Sequence, residues 1–158
     1  MGKLLLSLHV VAAIVFVGPV TVAVSLFPRY ARLALADPPG SATPVVRLLH
    51  RISRVYAVLG LSVPVLGLAL AVRLRVLGDV WLVVSIALTV VAAVILATAV
   101  LPVQQRAVDL LDRGGGAAEP AAWAAGAPRL ALSSGVFALL WVAVVVLMVV
   151  RPGSTTGV

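Results

Sequence analysis

Apolar residues fill four runs of this chain, roughly 4–27, 55–72, 80–101 and 130–150, and charged residues crowd into the segments between them. Each run approaches the about 20 residues needed to cross a hydrocarbon core about 30 Å thick. In lipid, a lone apolar segment satisfies its own backbone groups only as a helix. The pattern therefore predicts an all-α fold, a membrane-embedded antiparallel four-helix bundle, with residues 1–158 forming a single four-span domain.

The punctuation between the runs sets expected boundaries. Pro19 lies inside span one and invites a kink, because proline removes a backbone donor. The first loop is expected to begin at Pro28-Arg29 and to turn at Asp37-Pro38-Pro39-Gly40. Ser41 or Thr43 is the expected cap of the next helix, with Pro44 in its first turn. Span two ends at Arg73 and Arg75. After a short turn at Gly78, Asp79 is the expected N-cap of span three. Span three ends near Pro102, and Val103 to Asp112 reads as a short amphipathic extension stopped by Gly114-Gly115-Gly116. Ala117 to Pro128 is an Ala/Gly/Pro-rich segment in which Trp123 is expected to anchor at the membrane interface.

Composition narrows the function. With 63% hydrophobic residues, the chain can be neither a soluble domain nor a disordered one. It has no cysteine, which excludes disulfides, thiolate metal sites and thiol redox chemistry. The net charge is +7. Because the basic residues sit at span ends, that charge points to anionic lipid head groups rather than to nucleic acid. Arg29, Arg32, Arg47, Arg51, Arg54, Arg106, Arg113 and Arg129 flank the first and third loops. Lys3, Arg73, Arg75 and Arg151 lie at the other end, so the eight-to-four bias puts both termini outside the cytoplasm. Met-Gly-Lys before an apolar run resembles a signal peptide, but the run is long, and a retained first span is expected. Ala, Val, Leu, Gly, Pro and Arg dominate, as in GC-rich bacterial genomes, so the expected location is a bacterial inner membrane.

No Asp, Glu, Lys or Arg lies in the middle of any span. Ion-coupled carriers, proton pumps and voltage sensors need such groups. Small residues form seams instead. Ser53, Gly60 and Gly67 stand one heptad apart, with Ala57, Pro64 and Ala71 beside them. Ser7, Gly18, Thr21 and Ser25 mark span one, Ser85, Ala92 and Ala99 span three, and Ala131, Gly135 and Ala138 span four. Such seams let helix backbones approach closely in lipid, so Ser53, Gly60, Pro64 and Gly67 are expected at helix contacts.

Little chemistry is carried within the spans. His9 is the one ionisable residue inside an apolar run. It is either a neutral imidazole bonded to a neighbouring helix or a ligand for haem or copper. Met148 is expected at a similar depth near the end of span four, which makes a His9/Met148 copper site geometrically available. His50 cannot join it. About 18 helical residues separate the depths of the two histidines, about 27 Å at 1.5 Å per residue. Arg47, His50, Arg51 and Arg54 recur at helical spacing and are expected to touch anionic lipid or an acidic partner. Asp109 and Asp112 stand on the same side, within reach of these arginines.

The opening Leu8-His9-Val10-Val11-Ala12-Ala13 with Phe16-Val17-Gly18 resembles that of small bacterial four-span integral membrane proteins, and more distantly the membrane domain of CopD copper-resistance proteins. Arg51-Ile52-Ser53-Arg54 at the start of span two, Trp81 opening span three and Pro102-Val103-Gln104-Gln105-Arg106 after it are similar too. The resemblance implies copper handling through His9. The residues themselves favour a non-enzymatic accessory or scaffold protein with no catalytic group and no obligate cofactor. A membrane-protein partner or a second copy is its expected contact, and a haem- or copper-handling protein using His9 is the alternative.

Overall fold

The computed structural model describes residues 2–36, 40–113 and 119–153. They form four long helices: α1 (Gly2–Ala36), α2 (Thr43–Leu74), α3 (Val80–Asp112) and α4 (Glu119–Val150). All four are long and apolar enough to cross a membrane, and the chain is a multi-pass membrane protein built as an antiparallel bundle. Large apolar side chains cover its outside, among them Val58, Val80, Leu132 and Leu139, as a lipid-facing surface requires.

Every helix outruns its apolar stretch. The first loop does not begin at Pro28-Arg29, since α1 continues through a buried Pro28 to Ala36. Ala31, Ala34 and Leu35 extend the buried stripe from Phe27 past the proline, and their packing offsets the backbone bond that Pro28 cannot make. The Val103–Asp112 extension is likewise continuous with span three, with Ala107 and Leu111 buried. Of the first turn, Asp37 to Pro39 lie outside the described residues, as do Gly114 to Gly116; Gly40 accepts the amide of Thr43.

Three prolines shape the bundle. Pro19 and Pro102 each follow a π-helical turn, Ala13–Val17 and Leu96–Val100 respectively. Pro64 follows the interruption of α2 at Leu61. A proline ring crowds the carbonyl four residues back; those carbonyls belong to Val15, Thr98 and Gly60, so each break sits where the crowding falls.

Of the expected caps, the one before α2 is replaced, while Asp79 holds the N-cap position of α3 without a side-chain capping bond. Ala42, not Ser41 or Thr43, precedes α2, and the Thr43 hydroxyl is buried without a partner among the described residues. Asp79 precedes α3, but its carboxylate takes the Trp81 indole N–H at 3.0 Å instead of a helix amide. At the end of α2, Arg75 occupies the left-handed conformation with φ 59°. The Val76 amide reaches back to Ala71 and the Arg75 amide to Val72, a Schellman closure in which glycine is the commoner residue.

The two ends of the bundle pack differently. At the end carrying the α1–α2 and α3–α4 connections, all four helices meet around a core that includes Val24, Phe27, Val46, Val100, Leu130 and Phe137. Trp123 belongs to this core, so it is not the interfacial anchor expected for it; packing claims the whole indole. At the terminal end, Gly2–Ala12 of α1 packs on Ser62–Leu74 of α2, while Val80–Ile95 of α3 packs on α4. The two pairs part there. A small rim cluster of Ala71, Trp81 and Leu82, with Val76 and Met148, lies at the terminal face.

Candidate functional site: a histidine in an apolar cavity

The parting of the pairs leaves a cavity of about 360 Å³ lined by all four helices. It continues toward the terminal face as a recess of about 610 Å³, sharing His9, Gly67, Leu82 and Met148 with the inner part. Val, Leu, Ile and Ala make most of the wall. Thr89 lines it too, but its hydroxyl donates back to the Ser85 carbonyl at 2.8 Å. Trp141 lies toward the inner end, its indole N–H buried and unpaired among the described residues.

His9 is the polar anchor. It is 8% exposed and sits about 9 Å below Lys3, six residues at 1.5 Å each. Gly67 lies at the same depth below Arg73 by the same count. The fit of the two is tight: a Cβ on Gly67 would stand 2.9 Å from Cε1 of His9. Bulk at position 67 would therefore displace the ring. One turn away, Nδ1 of His9 lies 3.0 Å from the Val63 carbonyl oxygen. A carbonyl only accepts, so Nδ1 carries the proton and donates. In the neutral ring Nε2 then bears the lone pair, and no described residue engages it. A histidine oriented through one N–H on a backbone carbonyl, with its other nitrogen free, is arranged as metal-ligating histidines are. It is equally arranged to accept a hydrogen bond from a guest molecule.

Met148 faces the same cavity, so the structure brings together the two residues singled out for a metal or haem. Above them Arg151 lies over the Trp81 ring, its guanidinium carbon 5.5 Å from the ring centre, and its Nε donates to the Met148 carbonyl at 3.3 Å. Arg151 lines the outer recess, which places one positive charge at its mouth.

The packing seam of α2 is only partly where its spacing put it. Ser53 is fully buried and donates to the Leu49 carbonyl, and Gly67 faces His9. Gly60 is a correction in part: it faces a small gap between the helices that Val20, Thr89 and Phe137 also line, and a Cβ there would meet nothing within 4 Å. Pro64 is corrected too, since it is exposed and lines the cavity rather than a helix contact. Ser7 and Ser25 of span one, and Ala131 and Gly135 of span four, face outward, while Gly18 lines the cavity. Larger residues such as Val24, Phe27 and Phe137 fill the interior instead.

The basic face of α2 also divides. Arg47 is paired with Asp112, Nη2 to Oδ1 2.6 Å and Nε to Oδ1 3.1 Å. His50 does not reach lipid as its spacing suggested; it is buried between α2 and α3. Its Nε2 meets Oε1 of Gln105 at 2.9 Å and its Nδ1 meets Oε1 of Gln104 at 3.3 Å. Gln105 donates its own amide to Asp109 at 2.8 Å, so its oxygen accepts from His50 Nε2–H. The Nε2 of Gln104 has no partner among the described residues, and half a turn of that carboxamide sets an N–H against Nδ1. Asp109 thus serves Gln105 and leaves Arg51 and Arg54 unpaired among the described residues. The two glutamines went unrecognised in the sequence as partners of His50; their spacing on α3 opposite His50 was the available signal.

Among the described residues, no three His, Cys, Asp or Glu side chains group as metal ligands. Compared with family models, with curated proteins and with solved structures, the chain finds no match.

Proposed function

We propose that this chain is a non-enzymatic integral membrane protein of a bacterial inner membrane, an accessory component that holds within the bilayer a small, largely apolar guest bearing one hydrogen-bond donor. The observation that supports this reading is His9: fixed through Nδ1–H on Val63, it offers an unengaged Nε2 to an apolar cavity. The cavity has the dimensions and apolar lining of small-molecule sites. Among the described residues that line it, no carboxylate and no nucleophile–base pair is present, which favours holding over turnover.

A second reading has its own observation. His9 and Met148 share the cavity, and an imidazole nitrogen with a thioether sulfur suits cuprous copper or haem iron. Either group would be held by His9 Nε2, with Met148 as the second donor, and would bring redox or metal-carrying chemistry.

Mild purification, visible absorption, metal analysis and mass spectrometry of extracted small molecules test both. A stoichiometric guest, pigment or metal is expected, and His9→Gln should lose it while keeping the thermal midpoint, because the glutamine amide can still donate to Val63. A Soret-type band or bound copper lost in His9→Gln selects the second reading. Protein that carries nothing, and binds neither haem nor cuprous ion when these are added, overturns both and leaves a packing role alone.

The arginine distribution supports termini outside the cytoplasm, with the cavity opening toward that side. A reporter active only in the cytoplasm, fused at the C-terminus, should be silent; an active one reverses the orientation.

A further inference from the structure

Arg51 and Arg54 are exposed on α2 and have no acidic partner among the described residues. They head a recess of about 500 Å³ on the outward face of the helix, and Val55, Val58 and Leu59 form the rest of its exposed wall. The five residues follow the i, i+3, i+4, i+7, i+8 spacing of one helix face. Their depth is set by the far end of the same span. Arg54 to Arg73 is nineteen residues, about 28 Å at 1.5 Å each, close to the thickness of the hydrocarbon core. Arg54 therefore lies at one edge of that core and Arg51 about one turn further into the head groups. Val55, Val58 and Leu59 lie just inside.

Two guanidiniums without an acidic partner, at head-group depth and directly above exposed aliphatic side chains, match one molecule: a phospholipid with an anionic head group. We propose that this face of α2 binds an anionic phospholipid of the adjacent leaflet, phosphate on Arg51 and Arg54 and an acyl chain along Val55, Val58 and Leu59. Arginine suits phosphate because its fork of N–H groups matches the oxygens in pairs. Arg47 takes no part, since Asp112 already holds it, and His50 contributes only the buried rim, engaged by the glutamines. The site is independent of the His9 cavity and of what fills it.

The test uses the full chain in nanodiscs of phosphatidylcholine containing a minor fraction of phosphatidylglycerol, followed by native mass spectrometry of the released protein. The wild type is expected to retain phosphatidylglycerol in preference to phosphatidylcholine. Arg51→Gln/Arg54→Gln should lower that preference about thirtyfold, because it removes two positive charges at the head group. Arg47→Gln should leave it unchanged, and Arg51→Lys/Arg54→Lys should keep part of it. A double variant that still prefers phosphatidylglycerol overturns the proposal, as does equal loss in Arg47→Gln. Capture of a protein at this face, unaffected by lipid composition, would also overturn it. Unchanged thermal midpoints across the variants separate lipid loss from misfolding.

Discussion

Gly67→Ala should unseat His9. The added methyl would stand 2.9 Å from Cε1 of the ring, closer than packed carbons approach, with Nδ1 and Nε2 at ordinary contact distances of 3.4 and 3.6 Å. The ring must shift away from Gly67, and that shift strains its bond to the Val63 carbonyl. The cost is that of overpacking, about 1–3 kcal/mol, and Gly67→Leu should cost more. Gly60→Ala is the control, because nothing lies within 4 Å of its added carbon; its stability should stay within about 0.5 kcal/mol of wild type. Unfolding midpoints in detergent measure both. Any guest should be lost from Gly67→Ala and kept by Gly60→Ala. Equal behaviour of the two glycines would mean that His9 yields without cost, and the fixed anchor of the cavity would no longer stand.

Phe27→Ala should be the most damaging change in the packed end of the bundle. Phe27 is 0% exposed and belongs to the main core with Val24, Leu130 and Phe137. In a soluble protein such a truncation costs about 3–5 kcal/mol, part of it lost transfer energy and part the cavity left behind. Lipid is as apolar as the core, so the transfer part largely vanishes here. The cavity part remains, and a loss of about 2–3 kcal/mol is expected. Leu132→Ala, at a position 69% exposed to the lipid side, should change stability by less than about 0.5 kcal/mol. Unfolding midpoints of the two variants in the same detergent provide the comparison. A Phe27 variant as stable as the Leu132 variant would show that the α1–α2–α4 packing at this end is loose.

These two sites differ in how they are written in the chain. Phe27 sits where Pro28-Arg29 suggested a helix end, and its role as a core residue emerges only because α1 continues to Ala36. Proline is a local signal against helix, whereas the partners that repay it, Val46 on α2 and Leu130 on α4, come from distant parts of the chain. Trp123 misled in the same way. An aromatic residue in an Ala/Gly-rich segment beside a span suits an interface, yet the helix that contains it turns it into the core.

The sequence alone determined the class, the number of spans and the solvent, because the length of an apolar run and the absence of mid-span charge are properties of consecutive residues. It also singled out His9 and Met148 as the chemistry-bearing residues of the terminal end, since polar or sulfur-bearing groups are scarce there. Tertiary structure decided what those residues face. Helical spacing shows which residues share a face but not how closely a partner approaches that face, so Gly67 meets His9 while Gly60, on the same face of α2, meets nothing within 4 Å. The bond from His9 to Val63 joins groups 54 residues apart in sequence, and the spread of the terminal ends and the cavity it leaves join residues from His9 to Met148. Such contacts depend on how four helices lean on one another, and that is a property of the packed bundle, which no local pattern in the chain encodes.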